Sequence, residues 1–246
     1  MEVERITVKT IWKREVQSAF CTPVGYVFTG VFLLISSVMF LVTVLQPRSG
    51  DIPSFIGSMS YLWMLLSPVL TMKLLAEEKQ KKTDQLLLTS PVSVTDIVVG
   101  KYLAAVTVLL ITVALTWFFV LVVALYGQVW PAELAVCYLG FILQGCAFVA
   151  LDLFVSGCVT HPVTAAILSF GANFTVWLMD LLADAINIGW IADTMGFLSL
   201  YSRNEPFLMG QLSFAGVIYD ISFAAVFLAL TVMMLDRRRY GRRESA

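Results

Sequence analysis

The stretch AEEKQKKTDQLLLTSPVSVTDIVVGK, residues 76–101, places a dense run of charge between two long apolar segments. The rest of the chain is mostly apolar, since 59% of its 246 residues are hydrophobic and only 13% are charged. A soluble domain needs a more polar surface than this composition supplies. A bilayer core about 30 Å thick is crossed by roughly 20 helical residues. The composition therefore predicts an all-α membrane protein with about six membrane-spanning helices.

Apolar runs bounded by Pro, Gly and charged residues mark the predicted spans. They cover residues 24–45, 55–75, 99–126, 132–156, 163–184 and 213–235. The third run is long at both ends, which indicates a tilted helix or one that continues beyond the bilayer. Because no linker, repeat or low-complexity tract divides the chain, residues 1–246 are expected to form a single transmembrane domain.

The distribution of lysine and arginine predicts the orientation of the spans, because short cytoplasmic loops retain these residues. Basic residues concentrate before the first span, in the loop after the second and in the tail at residues 236–246. Only Arg48 and Arg203 fall in loops assigned to the outside. Both termini and the quoted loop are therefore predicted to be cytoplasmic. The basic clusters are expected to face membrane lipids and not nucleic acid.

The first 23 residues predict an interfacial elbow helix, residues 1–23. They do not form a signal peptide, because no short apolar core with a small-residue cleavage site follows the charged start. One face of the helix carries Val8, Trp12, Val16, Ala19 and Phe20, and Pro23 ends the pattern. A helix packed on a soluble neighbour is the alternative.

Residues typical of catalysis and of metal or cofactor binding are scarce. The sole histidine, His161, lies beside a proline in a predicted turn, which excludes a multi-histidine metal site. The pair Gly100-Lys101 resembles the end of a phosphate-binding loop. Thr95, however, replaces its first glycine, and Tyr102 replaces the hydroxyl residue that would hold magnesium. We therefore expect no catalytic residue, no metal site, no cofactor and no ATP binding by that motif.

Asp152 and Asp220 lie deeper inside their predicted spans than the Asp180/Asp184 pair, and a carboxylate in hydrocarbon is costly and usually marks a function or a partner. Asp152 is placed near the cytoplasmic end of the fourth span, and Asp220 one to two turns into the sixth. Each is predicted to line a pathway through the membrane or to make a polar contact with another helix. Simple hydration near the membrane surface is the alternative for both.

The segment at residues 185–212, between the fifth and sixth spans, is too apolar for a free loop. Gly196, Pro206 and Gly210 interrupt it too often for one more span. We predict short helices that lie in the outer interface or re-enter the membrane partway, where protein or water satisfies the backbone.

The charged loop also carries a pattern that extends over most of the chain. Its members are Glu77-Glu78, Thr83, Leu86-Leu87, Pro91-Val92, Ile97 and Gly100-Lys101. A basic helix that ends at Pro23 and the stretch from Ala150 to Ser156 accompany it. Together these features resemble bacterial ABC-2-type permeases, the membrane subunits of ATP-binding-cassette exporters, and especially their gliding-motility-like branch. Asp152 stands where members of that family commonly have glycine.

The resemblance implies a six-helix permease subunit in the bacterial cytoplasmic membrane, paired with a second permease copy or a homologous permease. A coupling helix within residues 76–98 would sit in a cleft of a separate ABC ATPase subunit. The residues expected to couple to that ATPase are Glu77, Glu78, Thr83, Asp84, Leu86, Leu87 and Pro91. Their chemistry suits docking, because carboxylates pair with basic groups and leucines supply an apolar anchor. An extracytoplasmic accessory subunit is common in this branch.

Two other functions fit the same residues. An ion-coupled secondary transporter would use intramembrane acids as carriers, and the purified chain alone would then support gradient-driven uptake. A membrane anchoring or assembly protein would bind partners through the charged loop without transport. Co-purification with an ATPase separates the permease from both alternatives.

Overall fold

The computed structural model describes residues 8–47, 51–83, 93–126, 130–185 and 199–243, and these residues form helices and turns without a strand. The helices are α1 (Val8–Cys21), α2 (Pro23–Leu45), α3 (Ile52–Gln80), α4 (Val94–Tyr126), α5 (Pro131–Cys158), α6 (Pro162–Ala185), α7 (Leu200–Leu208) and α8 (Phe214–Arg243). Six of them, all but α1 and α7, are long and apolar enough to cross a membrane. The predicted all-α fold with six spans is confirmed.

Several helices continue past the apolar runs that predicted them. The helix α3 continues to Gln80, α4 begins at Val94 and α8 runs on to Arg243. Lysine, arginine and glutamate are good helix formers, so a helix need not end where its hydrophobic stretch ends. As a result, Glu77 and Glu78 lie on the last turns of α3 itself and not in a loop.

The centre of the bundle is formed by α3 and α5, which are the most buried spans, whereas α6 and α8 are the least buried. On α5 the run from Ala147 to Ala150 is fully buried, and its two alanines allow close helix packing. On α3, the ring of Trp63 makes edge-to-face contacts with Phe28 and Phe32 of α2. The outward faces of α6 and α8 carry large exposed apolar side chains, as a lipid-facing surface requires.

The N-terminal helix α1 packs along α4. Its one fully buried side chain, Ile11, lies against Gly100, where an added Cβ would come within 2.9 Å of the isoleucine. The indole N–H of Trp12 donates a hydrogen bond of 2.8 Å to the hydroxyl of Thr107. The helix ends at Cys21, just before Pro23, as the sequence predicts. Its neighbour is a span of the same chain, so α1 is attached to the membrane domain directly.

The short helix α7 re-enters the bundle. Its Asn204 donates a hydrogen bond of 2.6 Å to the side chain of Gln144, which lies at the middle of the 28-residue helix α5. Gly140 makes room for it, since a Cβ there would lie 2.6 Å from both Asn204 and Phe207. The prediction of a short helix before the last span is therefore correct within residues 199–212. Residues 186–198 lie outside the described part of the chain.

Arg203 lies in the segment between the fifth and sixth spans, for which the sequence predicted short helices. Arg203 lies on α7, and its guanidinium carbon lies 5.9 Å from the ring centre of Tyr219 on α8. Packing against an aromatic ring provides a favourable environment for this cation.

Candidate functional site at the charged end of the third helix

The helix α3 is interrupted first at Pro68. Proline has no N–H, so the carbonyl of Met64 loses the donor that a regular helix would supply four residues later. The side-chain amide of Asn173 on α6 replaces that donor, at 3.2 Å from the Met64 oxygen. A neighbouring helix thus completes the backbone hydrogen bonding of α3 within the membrane, as a proline in a span requires.

A second interruption follows at Lys73–Glu77, where α3 becomes a π-helix. In an α-helix, the N–H of Ala76 would bond to the carbonyl of Met72. Here the hydroxyl of Ser156, on α5, lies between them: it accepts from Ala76 at 3.2 Å and donates to Met72 at 3.4 Å. A side chain inserted into the hydrogen-bond ladder explains the change of helix type. Such bulges are frequent at functional sites.

Lys101 links three helices around this bulge. Its side chain is only 1% exposed, and its ammonium lies 2.8 Å from Glu78 on α3 and 3.3 Å from Glu15 on α1. It also donates a hydrogen bond of 2.6 Å to the carbonyl of Leu74 within the π-helical turn. The two carboxylates compensate the cost of burying an ammonium group. The sequence analysis included Lys101 in the family pattern but predicted no ion pair for it, and so missed this role.

The predicted coupling residues Glu77 and Glu78 have different environments. Glu78 is held inside the network, because Arg14 of α1 also approaches it at 3.5 Å. Glu77 lies closer to the surface and pairs at 2.6 Å with Lys81, one turn further along the helix. An exposed pair of that kind contributes about 0.5 kcal/mol, so Glu77 can exchange partners easily. Of the two carboxylates, Glu77 is therefore the more available to another protein.

The charged end of α3, residues 77–83, is also fixed to α5. Lys79 donates a hydrogen bond to the carbonyl of Gly157, and only 9% of its surface is exposed. Gly157 itself contacts α8, since a Cβ there would lie 2.5 Å from the terminal methyl of Met234. A displacement of the charged end of α3 would therefore act on α1, α4 and α5 together.

The turn that follows α3 depends on one unusual backbone conformation. Lys82 has a φ of 58°, in the left-handed region that favours glycine. The N–H of Lys82 bonds to the carbonyl of Lys79 and that of Thr83 to the carbonyl of Glu78, which is a Schellman cap with lysine in the glycine position. Thr83 is thus positioned by the cap. The other predicted coupling residues, Asp84, Leu86, Leu87 and Pro91, lie outside the described residues.

Lys82→Gly is expected to raise the free energy of unfolding by about 1 kcal/mol, because glycine adopts the left-handed conformation without a steric penalty. Lys81→Gly is the matched control, since Lys81 has a φ of −81° and gains nothing from glycine. We expect the control to lower stability slightly. Thermal unfolding in detergent measures both. Equal destabilisation by the two changes would contradict the assigned turn.

Asp152 lies in the interior near the first interruption of α3. Its side chain has no exposed surface, and one carboxylate oxygen accepts a hydrogen bond of 2.6 Å from Ser67. Asn173 in turn donates to the hydroxyl of Ser67 at 3.4 Å. The other carboxylate oxygen has no hydrogen-bond partner among the described residues. Within this chain Asp152 is thus a contact between α3, α5 and α6, and its role in a pathway stays a prediction.

Asp220 belongs to a different part of the bundle. It is 2% exposed on α8, and its Oδ1 has no hydrogen-bond partner among the described residues. The sulfur atoms of Cys158 and Met234 lie 3.6 Å apart and align α5 with α8. At 1.5 Å per residue, Asp152 lies about 9 Å from Cys158 along α5. Asp220 lies about 21 Å from Met234 along α8. The two predicted acids therefore do not share one site, and the role of Asp220 also stays a prediction.

Comparison with known proteins adds one finding. The sequence model of the family described as "ABC-2 family transporter protein" matches residues 46–235, which is more than half of the chain. The matched region includes all of α3, α4, α5, α6 and α7 and most of α8. No curated protein matches the sequence significantly.

Proposed function

The chain belongs to the ABC-2 family of transporter proteins, and from that premise we propose that it is the permease subunit of an exporter driven by a separate ATPase subunit. Members of this family are multi-pass membrane subunits for transport and are not themselves catalytic. Their transport generally depends on an ABC ATPase. The direction of export, the ATPase of this chain and its place in the gliding-motility-like branch are part of the proposal.

The observation that carries the proposal is the attachment of the charged end of α3 to its neighbours. Lys101 connects it to α1 and α4, and Lys79 connects it to α5. The π-helical turn that leads into it is contacted by side chains from two other helices, Ser156 of α5 and Lys101 of α4. A partner that moves this end would therefore move several spans.

We assign different roles to the predicted coupling residues. Glu78 holds the network together from inside, Thr83 belongs to the cap of α3, and Glu77 offers a carboxylate near the surface. Asp84, Leu86, Leu87 and Pro91 are proposed to enter the cleft of the ATPase, with the leucines as its apolar anchor. A carboxylate at the rim of such a contact mainly affects specificity and association rate.

The proposal also includes the environment of the subunit. We propose the bacterial cytoplasmic membrane, with both termini and the charged end of α3 on the cytoplasmic side, in line with the bias of Lys and Arg. A second permease copy would pack on one of the apolar faces of α2, α6 or α8, and lipid would cover the others. An extracytoplasmic accessory subunit is a further proposed partner, and its surface is not assigned.

Purification from native membranes tests the proposal. We expect an ATPase subunit to co-purify, and ATP hydrolysis to require that subunit, because the chain carries no phosphate-binding loop. Gradient-driven uptake by the chain alone would instead support an ion-coupled transporter. A stable complex that lacks any ATPase would support an anchoring protein.

Leu87→Asp is expected to reduce association with the ATPase at least tenfold, because a charge at an apolar anchor must be desolvated on binding. His161→Asp is the control: it introduces the same side chain at an exposed position in the turn between α5 and α6, on the same predicted side of the membrane. Pull-down with the ATPase measures both variants. Equal binding by Leu87→Asp and the wild type would contradict the assignment of this segment.

A further inference from the structure

A cleft of about 680 Å³ lies between α1, the end of α3 and the first half of α4. Its floor is apolar and is formed by one turn of α3 and one turn of α4: Leu70, Leu74, Ala104, Ala105 and Val108. Its rim is charged and is formed by Arg14, Lys73, Lys81, Glu15, Glu77 and Glu78. An apolar floor below a charged rim is complementary to an amphipathic molecule.

The charges around the cleft do not cancel. The rim has three basic and three acidic side chains, and Lys101 adds a fourth cation beneath it. Every one of the carboxylates is engaged: Glu15 and Glu78 pair with Arg14 and Lys101, and Glu77 pairs with Lys81. Among the described residues, one positive charge is therefore left without a carboxylate.

That charge is on Lys73. Its side chain is half-buried in the wall of the cleft, and its ammonium makes no ion pair with any residue in the described part of the chain. An ammonium group that is partly removed from water is stabilised by an anion at hydrogen-bonding distance. The cleft therefore offers one anion position next to an apolar surface.

We propose that this cleft binds a glycerophospholipid, with the phosphate on Lys73 and the start of an acyl chain on the floor between α3 and α4. A phosphodiester carries one negative charge, which matches the one cation that no described carboxylate pairs with. The position agrees with the elbow helix α1, predicted to lie at the membrane surface where lipid headgroups lie. This site does not depend on the proposed ATPase coupling, because it is formed within the isolated chain.

Native mass spectrometry of the full chain, delipidated in detergent, tests the site with three probes: phosphatidylglycerol, diacylglycerol with the same acyl chains, and inorganic phosphate. We expect phosphatidylglycerol to be retained and the other two to be lost. Lys73→Gln is expected to weaken retention about tenfold, the effect of losing one charge-assisted hydrogen bond to phosphate. Lys73→Arg keeps the charge and is expected to retain the lipid.

Lys13→Gln is the matched control, because Lys13 is exposed on α1 and does not line the cleft. It is expected to bind lipid as the wild type does. Thermal unfolding checks that Lys73→Gln remains folded, as expected for a side chain that forms no ion pair within the described ranges. Equal retention by Lys73→Gln and wild type, or of diacylglycerol and phosphatidylglycerol, would overturn the proposal. Retention of inorganic phosphate at the affinity of the lipid would show a soluble-anion site and would overturn it also.

Discussion

Lys101→Met is expected to lower the free energy of unfolding by about 3 kcal/mol, because it removes the buried partner of two carboxylates at once. Methionine fills a similar volume and is apolar, so the loss reports the charge and not a cavity. Glu15 and Glu78 would keep only the more exposed Arg14 as a shared cation, and the carbonyl of Leu74 would lose its donor. Because these interactions join α1 to α3, the attachment between the two helices would weaken.

Thermal or denaturant unfolding in detergent measures this loss. Lys13→Met is the control, since the same change on the exposed face of α1 should alter stability by less than about 0.5 kcal/mol. A double mutant supplies a second check: Glu78→Gln should be less harmful in the Lys101→Met background than alone. If Lys101→Met matched the control, or if the two changes were additive, the ion network would not hold these helices together.

Asp152→Leu is expected to lower the free energy of unfolding by about 2 kcal/mol. The substitution removes the acceptor for Ser67 in a region without exposed surface, and a buried donor without a partner is costly. The contact lies beside the Pro68 interruption, where Asn173 already replaces a backbone donor. Loss of the hydrogen bond between Ser67 and Asp152 should therefore weaken the packing of α3 against both α5 and α6.

Asp152→Asn is the matched variant, because an amide oxygen can still accept from Ser67. We expect it to stay within about 1 kcal/mol of the wild type. ATPase activity per folded complex after reconstitution should be little changed in either variant if Asp152 serves as a contact between helices. Wild-type stability combined with altered activity in Asp152→Asn would instead assign Asp152 to the pathway.

The sequence predicted the class of the fold and the family because both depend on local properties. Each apolar run is long enough to span the bilayer by itself, and the described part of the chain contains six such helices. The pattern around Glu77 and Glu78 identified the ABC-2 permeases, and the family match supports that identification. The sequence placed the helix ends less well, because charged residues continue a helix beyond the membrane-spanning part.

The internal network could not be predicted in the same way. Lys101 and Glu15 are 86 residues apart in the chain, and Ser156 lies 80 residues from the backbone group that it completes. A signal was present, since a lysine inside an apolar helix needs a partner. The position of Lys101 in the sequence did not identify which of several carboxylates it pairs with. Glu78 was therefore predicted to contact only another protein.

By itself, then, the sequence determined which segments cross the membrane, because the free energy of transferring a helix into the bilayer depends mainly on that helix's own residues. Only the tertiary structure decided how the two interruptions of α3 are completed and where the buried charges find partners. A carbonyl freed by Pro68 or by the π-helical turn can accept from any donor that packing brings within about 3 Å. Which donor lies within hydrogen-bonding distance depends on the arrangement of all the spans. It cannot be read from the sequence of any single segment.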